Sequence, residues 1–174
     1  MLNKKESYKF FTDLDSFLKN KLFPQKTSII EQVRKATPNG NELEGSFIKV
    51  FLAPLLKDYF SDKVAGLAIE GVVGTAQFKT IFFGSRPAPD FLFKNPILFN
   101  TVGEIKYCSL SPRQFALALG QLIIYMRGSK LEQNQADYGY MIFFNTSLNQ
   151  DLAEPEQQFI KEIWGKENIF VTIL

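Results

Sequence analysis

Residues 89–106 read Pro89-Asp90-Phe91-Leu92-Phe93-Lys94-Asn95-Pro96-Ile97-Leu98-Phe99-Asn100-Thr101-Val102-Gly103-Glu104-Ile105-Lys106. Two short apolar runs flank an Asn-Pro turn, a pattern typical of adjacent strands that form a hairpin. Because side chains alternate along a strand, Glu104 and Lys106 point to the same face. If Asp90 begins the neighbouring strand, its carboxylate reaches the same place. Two carboxylates and an ammonium beside a sheet can hold a hard divalent cation and handle a water next to it.

The spacing of these residues resembles the signature of the PD-(D/E)XK nucleases, the restriction-endonuclease-like superfamily. The matching residues are Pro89-Asp90 and, after an intervening turn, Glu104-Ile105-Lys106. Pro-Asp and Glu-x-Lys pairs are also common on turns and on solvated strand faces. In that alternative, Asp90 is a turn residue and Glu104 and Lys106 form an exposed pair. The segments before and after residues 89–106 are therefore needed to choose between a nuclease motif and an exposed strand pair.

The composition narrows the chemistry that is open to the chain. It has 174 residues, 45% of them hydrophobic and 22% charged, which indicates a single folded domain with a real core. The absence of histidine excludes Ser-His-Asp and Cys-His nucleophiles and His-ligated metals. The single cysteine, Cys108, excludes disulfide frameworks and Cys-rich metal sites within the chain. Carboxylates, lysines, hydroxyls and an oxygen-bound metal remain.

Charge and hydropathy set two further expectations. The formal net charge is +2 and the pI about 8.6, which neither demands nor forbids a nucleic-acid partner. No apolar run is long enough to span a bilayer, and the first residues lack the apolar segment of a signal peptide. We therefore expect a cytoplasmic protein with no membrane partner.

Residues 1–36 are predicted to form a helical N-terminal extension. Apolar residues recur there at three- and four-residue spacing, and Pro24 should end the first helix. Ser28 and Glu31 fit a capping box that opens a second helix, which runs through Lys35. A helical flank that covers the sheet or a dimerisation surface is favoured over a basic arm that contacts DNA.

A third helix is predicted from about Asn41 to Leu55, with a kink or a split at Pro54. Glu44 places a carboxylate on the face of this helix that should pack inward, because its neighbours at helical spacing are apolar. Two roles for Glu44 stay open. It resembles the glutamate that the superfamily often carries on the helix before the sheet, and it also fits a capping box at the helix start.

A further helix follows Lys106 directly. It should begin at Ser111-Pro112 and end at Gly128. Gln121 and Tyr125 lie on one side of it and resemble a Gln-x-x-x-Tyr element that some members of the superfamily place after the Glu-x-Lys strand. As an alternative, a glutamine and a tyrosine at this spacing are an amphipathic border.

The remaining segments complete an α/β fold. Residues 64–84 should contain one or two strands, residues 138–144 a buried strand, residues 155–164 a helix and residues 169–174 a final strand. The predicted order agrees with a restriction-endonuclease-like αβββαβ core, in which helices flank a central mixed sheet. This core would cover residues 41–145 of a single domain that spans residues 1–174, with residues 146–174 as a C-terminal helix and strand.

The resemblance implies roles for five of these residues. Asp90 and Glu104 would ligate Mg²⁺, for which Mn²⁺ can substitute, and the main-chain carbonyl of Ile105 would be a third oxygen ligand. Lys106 would orient or deprotonate the attacking water, or stabilise the oxygens of the pentavalent phosphorus. Glu44 would hold a metal-bound water.

Four more residues are candidates for contact with the nucleic acid. Gln121 and Tyr125 would position the strand near the metal. Arg86, just before the motif, and Arg113, in the first turn of the helix after it, are candidates for phosphate contacts. For Arg86 an ordinary surface arginine is the favoured alternative.

The implied function is a Mg²⁺-dependent deoxyribonuclease that acts on double-stranded DNA. A small restriction or homing endonuclease, working as a homodimer or higher oligomer, is the first choice because cutting both strands needs two sites. The alternatives within this class are a structure-selective or repair nuclease and the nuclease subunit of a defence complex. A catalytically degenerate DNA-binding module and an α/β interaction protein with an accidental motif are the alternatives outside it.

Overall fold

The computed structural model describes residues 4–38, 40, 42–61, 66–79, 81, 84–86, 88–94, 100–131, 135–147 and 152–174. Along this part of the chain, four α-helices are followed by three strands and then by two helix–strand pairs. The helices are α1 (Lys4–Leu22), α2 (Lys26–Ala36), α3 (Leu43–Phe47), α4 (Ala53–Phe60), α5 (Pro112–Leu131) and α6 (Glu154–Glu167). The strands are β1 (Gly66–Ile69), β2 (Phe91–Lys94), β3 (Asn100–Cys108), β4 (Tyr138–Asn145) and β5 (Ile169–Ile173).

The five strands form one mixed sheet in the order β1-β2-β3-β4-β5. β1, β2 and β3 are antiparallel neighbours, which confirms the hairpin predicted around residues 94–96, although residues 95–99 lie outside the described part of the chain. β3, β4 and β5 are parallel, because α5 and α6 carry the chain back between them. The predicted α/β class with a mixed sheet between helices is therefore confirmed.

Two apolar cores cover the two faces of the sheet. The first lies under the N-terminal helices and is rich in aromatic side chains, including Phe11, Phe47 and Tyr140. The second lies under α5 and α6 and is mainly aliphatic, with Leu122 and Ile163 at its centre. β4 runs through the middle with every residue buried, as its apolar sequence predicts. Both faces of the central strands are thereby closed to water.

The N-terminal extension packs onto the sheet, as predicted for a helical flank. α1 ends at Leu22, and a 3₁₀ turn at Phe23–Gln25 contains Pro24. The predicted start of the second helix at a Ser28 capping box is wrong, because α2 begins at Lys26 and no side chain caps it. Ser28 lies inside the helix, where its hydroxyl accepts a hydrogen bond from the Gln32 amide at 2.9 Å.

Pro54 splits the third helical segment, as predicted. α3 is only one and a half turns long, a π-helical turn follows at Ile48–Leu52, and α4 then starts with Pro54 in its first turn. The segment begins at Leu43, after Glu42 in a left-handed conformation (φ 67°), and Asn41 lies outside the described residues. α3 packs against β3, whereas α4 packs against β1.

The end of α5 differs from prediction. α5 passes through Gly128 and ends at Leu131, because Ser129 stabilises this last turn. The Ser129 hydroxyl donates to the Met126 carbonyl at 2.8 Å and accepts the N–H of Ala136 at 2.9 Å.

One strand lies in the region of residues 64–84, where one or two were predicted. Among the described residues of this region, β1 and an isolated bridge between Ile69 and Val73 form the extended structure.

Gly103 is the point where the hairpin packs most closely. A β-carbon at this position would lie 2.0 Å from the ring of Phe91, the residue directly opposite on β2. Only glycine leaves room for that ring, which is fully buried in the first core.

Within the described part of the chain, no helix is both long and apolar enough to cross a membrane.

Candidate functional site

The candidate site lies at an open edge of β3. Pairing between β2 and β3 ends at Phe91 and Gly103, so the rest of β3 has a strand neighbour only on its β4 side. Two carboxylates accept hydrogen bonds from main-chain N–H groups on this open side of β3. Asp90 accepts the N–H of Ile105 at 2.6 Å, and Glu44 accepts the N–H of Tyr107 at 3.0 Å. These hydrogen bonds bring Asp90 and Glu44 onto the strand that carries Glu104 and Lys106.

Lys106 joins the acidic side chains. Its ammonium Nζ lies 2.6 Å from a Glu104 carboxylate oxygen and 3.5 Å from a Glu44 carboxylate oxygen. Glu104 is only 2% exposed, Lys106 16% and Glu44 36%. The alternative of an exposed strand pair is therefore wrong for Glu104 and Lys106. We call Glu44, Asp90, Glu104 and Lys106 the acid cluster.

The acid cluster holds three carboxylates and one ammonium in a poorly hydrated place. Burial raises the pKa of Glu104 to about 8, and the neighbouring Asp90 adds to the rise. Burial also raises the pKa of Asp90 to about 6, although the Ile105 N–H and the Lys106 ammonium act in the opposite direction. Burial lowers the pKa of Lys106, but the surrounding carboxylates outweigh it and keep that pKa above its ordinary value. The three carboxylates of the acid cluster therefore outnumber its one ammonium, and burial makes it costly to ionise all three at once.

α5 adds Tyr125 and Gln121 to the border of the acid cluster. Burial raises the pKa of Tyr125 to about 12, and the negative charges of Glu104 and Asp90 contribute to that rise. Gln121 is exposed and close enough to Tyr125 for its side chain to lower the pKa of the Tyr125 hydroxyl, against the larger effect of burial. The predicted pair thus lies together, with the Tyr125 hydroxyl protonated and within electrostatic reach of the acids.

The structure bears on one of the two roles considered for Glu44, that of a helix cap. Among the described residues no side chain caps the start of α3, and both oxygens of the Glu44 carboxylate accept hydrogen bonds from β3. The helix-cap interpretation is therefore wrong. The contact arises because Phe47, one turn after Glu44, is fully buried against Tyr107 and Phe144, which fixes the face that α3 presents to the sheet.

The three other predicted residues have different positions. Ile105 meets the acid cluster through its main-chain N–H, and a role of its carbonyl in metal binding stays a prediction. Arg86 and Arg113 are exposed, and within the described part of the chain neither makes a hydrogen bond or an ion pair with the cluster. Their contacts with a nucleic acid also stay predictions.

Glu70 is a fourth acid that the sequence interpretation missed. Its main-chain N–H donates to the Asp90 carbonyl at 2.9 Å, and its negative charge contributes to the raised pKa of Asp90. One carboxylate oxygen accepts the N–H of Ala76 at 2.7 Å, which fixes the loop after β1. The available signal was its position: an acid directly after a short apolar strand that pairs with the Asp90 strand.

A divalent cation fits the donor set of the acid cluster. Among the residues that the structure describes, no group of three or more His, Cys, Asp or Glu side chains is arranged to hold a metal ion as it stands. The Lys106 ammonium lies between Glu44 and Glu104 and provides the positive charge there. Mg²⁺ and Mn²⁺ nevertheless prefer carboxylate oxygens as ligands, and the acid cluster brings three carboxylates together. The cluster therefore suits a divalent cation by the chemistry of its ligands, although its side chains are not already arranged around a metal position.

The chain was compared with known proteins. No protein-family model matches it, and no curated protein and no solved structure matches it significantly.

Proposed function

We propose that this chain is a metal-dependent deoxyribonuclease of the PD-(D/E)XK superfamily, with a restriction-endonuclease-like fold. One observation carries the proposal. Three separate segments of the chain bring Glu44, Asp90, Glu104 and Lys106 together at the open edge of β3. A buried ion pair such as Glu104–Lys106 can often be replaced by apolar residues without loss of stability, so packing alone does not account for its charges.

The acids would provide the metal site of this nuclease. Asp90 and Glu104 would hold Mg²⁺, and their raised pKa values express the strain that a cation relieves. When bound, Mg²⁺ supplies Lewis acidity and lowers the pKa of coordinated water. Glu44, whose side chain is 36% exposed, would orient a water at the mouth of the site.

Lys106 and Tyr125 would act on the phosphate and the attacking water. An ammonium has three donors and no acceptor, so Lys106 can orient the water or neutralise charge that builds up on the phosphoryl oxygens. Tyr125 stays protonated near neutral pH and can donate a hydrogen bond to a phosphate oxygen. Gln121, which lies beside Tyr125, would help to position the strand.

Within this class, a small restriction or homing endonuclease remains the first choice. One chain offers one such cluster, and cutting a duplex needs two, so a homodimer that acts on double-stranded DNA follows from the proposal. A structure-selective or repair nuclease and the nuclease subunit of a defence complex use the same chemistry. The pattern of cleavage products separates these subclasses.

Cleavage of supercoiled, linear duplex and single-stranded DNA tests the proposal. We expect products with Mg²⁺ or Mn²⁺, none with EDTA, and a loss of activity in Lys106→Ala and Asp90→Ala. Lys57→Ala is the matched control, because Lys57 is an exposed lysine on α4, in the N-terminal layer of helices. Cleavage by Lys106→Ala and Asp90→Ala at the rate of the wild type would contradict the assignment.

A DNA-binding module without catalysis is the second candidate. One observation favours it: Lys106 fills the space between Glu44 and Glu104, and the described residues present no ready-made metal cage. This candidate predicts DNA binding that EDTA does not change and no cleavage of any of the three substrates. Calorimetric titration with Mn²⁺ separates the two candidate functions. Only the nuclease requires the protein to bind Mn²⁺, and this binding should be lost in Asp90→Asn.

A further inference from the structure

A second charged region lies at the other end of the sheet, where β4 begins. It is an open pocket of about 410 Å³, within the size range of small-ligand sites. Its floor is formed by Tyr138 and Ile169, at the starts of β4 and β5. The charged side chains that line it are Lys4, Arg127, Lys130, Lys166, Asp137 and Glu167. We call it the basic pocket, because cations outnumber acids four to two.

The acids of the basic pocket do not neutralise its cations. The Asp137 carboxylate accepts the main-chain N–H of Asn100 at 2.8 Å and so fixes the start of β3. Lys4 donates to the Gly165 carbonyl at 2.9 Å, and Lys166 pairs with Glu162 at 3.1 Å. Within the described part of the chain, no hydrogen bond or ion pair engages Arg127 or Lys130.

The fold explains only part of this excess. Lys130 and Lys166 lie in the last turns of α5 and α6, where the helix dipole favours a cation. Lys4 lies in the first turn of α1 and Arg127 lies a turn before the end of α5, so the helix dipole does not account for these two cations. Cations from three helices converge on one cavity, and their mutual repulsion is a cost that an anion would remove.

We propose that the basic pocket binds a phosphate group and that the phosphates of a nucleic-acid strand are its ligand. The choice of this source rests on the proposed function, whereas the phosphate chemistry rests on the pocket alone. Arg127 offers a planar fork of donors that suits phosphate oxygens, and Lys130 adds a mobile point charge. The pocket carries no acid arrangement for catalysis, so it would anchor the strand while the acid cluster acts elsewhere on it.

The geometry of the sheet separates the two regions by a short span. Tyr138 in the floor of the pocket pairs with Thr101, three residues before Glu104 on β3. Three residues of a strand cover about 10 Å, which is roughly three nucleotide steps along a duplex. Both regions border α5, which contributes Tyr125 to one and Arg127 to the other. A single strand that passes over α5 is therefore long enough to contact both.

DNA binding by the intact protein in EDTA tests the proposal without cleavage. A labelled single-stranded DNA is titrated by fluorescence anisotropy at several salt concentrations, with Arg127→Gln/Lys130→Gln as the test variant. Lys35→Gln/Lys57→Gln is the matched control, because it removes two exposed cations from the N-terminal helices. We expect the test variant to bind about tenfold more weakly and to lower the slope of log K against log salt by about 1.4, the value for two lost phosphate contacts.

A second titration with pyrophosphate identifies the source of the phosphate. The expected result is that the test variant weakens both pyrophosphate and DNA binding. If only pyrophosphate binding is weakened, the pocket takes a free phosphate compound and the nucleic-acid source is overturned. If the test variant and its control bind both ligands equally, the whole inference is overturned. Because these titrations contain no metal, their result is independent of whether the wild type cleaves DNA.

Discussion

The acid cluster and the basic pocket both place charges beside the β3–β4 pair, but they handle those charges in opposite ways. In the acid cluster two carboxylates, those of Asp90 and Glu104, are withdrawn from water, Glu104 to 2% exposure, and burial raises the pKa of both. In the basic pocket the cations line an open cavity and keep contact with solvent. Buried charges change their own chemistry, whereas exposed charges mainly attract a partner. The comparison therefore supports the proposal that the acid cluster carries out the chemistry and the basic pocket binds the strand.

The largest expected effect comes from Glu104→Gln. The change keeps the shape of the side chain and removes the buried charge next to Lys106. We expect Mg²⁺-dependent cleavage to fall at least about 1000-fold, equivalent to ~4 kcal/mol in the barrier, because Glu104 is a proposed metal ligand. DNA binding in EDTA should not weaken, since the basic pocket is intact. Single-turnover cleavage and anisotropy measure the two effects, and a parallel loss of both would break the division between the regions.

The next effect concerns stability and sharpens the comparison structurally. In Gly103→Ala the new methyl group overlaps the Phe91 ring next to Asp90, so we expect a loss of about 2–3 kcal/mol in the free energy of unfolding. Gly120→Ala is the matched control, because its β-carbon meets nothing within 4 Å on exposed α5 and should stabilise by about 0.5–1 kcal/mol. Urea denaturation measures both. Equal stability of the two variants would contradict the close packing at the hairpin.

The pH dependence of stability isolates the buried acids. Asp90 and Glu104 have folded-state pKa values of about 6 and 8, above their ordinary 3.8 and 4.5. Their contribution to stability is therefore fully present below about pH 4 and is lost as the pH rises to about 8. In EDTA, Tm should fall over this range by about 2–4 °C for each kcal/mol lost. The Asp90→Asn/Glu104→Gln variant should fall less, and Mg²⁺ should restore the wild type at high pH.

A Tm difference between wild type and this variant that does not change with pH would show that the two acids are already neutralised without metal. The basic pocket offers no comparable effect in EDTA, because neither Asp90 nor Glu104 lines it. The same scan on Arg127→Gln/Lys130→Gln is the control, and its profile should run parallel to that of the wild type.

The smallest effect is expected for Tyr125→Phe. The change removes one hydroxyl that borders the acids and keeps the ring that packs in the second core. We expect cleavage to slow about 10-fold, equivalent to ~1.4 kcal/mol, with metal binding unchanged. Gln121→Ala should show a similar or smaller loss, because Gln121 is exposed and lies beside Tyr125. A larger loss in Gln121→Ala than in Tyr125→Phe would assign the substrate contact to the glutamine.

The sequence predicted the acid cluster better than its surroundings. Alternation along a strand is a local rule, so Glu104 and Lys106 could be placed on one face from their spacing alone. The approach of Asp90 and Glu44 to β3 depends on contacts between separate segments of the chain. Their inclusion in the site therefore relied on the resemblance to the superfamily and not on local spacing alone. Glu70 was missed because its neighbourhood depends on how β1 pairs with β2, which no local pattern encodes.

The predicted boundaries failed where tertiary contacts override local preference. Gly128 did not end α5, because Ser129 ties the last turn to the approach of β4. Ser28 did not open α2, because the chain is already turned by the 3₁₀ segment that contains Pro24. The basic pocket could not be found from sequence at all, since Lys4, Arg127 and Lys166 come from three distant helices.

The hydrogen bonds of Glu44 and Asp90 to β3 have a consequence for solubility. A strand with free N–H groups on one side is a template for pairing with another chain, and such edges promote aggregation. Here both carboxylates accept those N–H groups and place negative charge along the edge. The residues assigned to catalysis thus also protect the sheet from self-association. Alanine variants at these positions should be checked by light scattering, because an inactive aggregate and an inactive enzyme look alike in a cleavage assay.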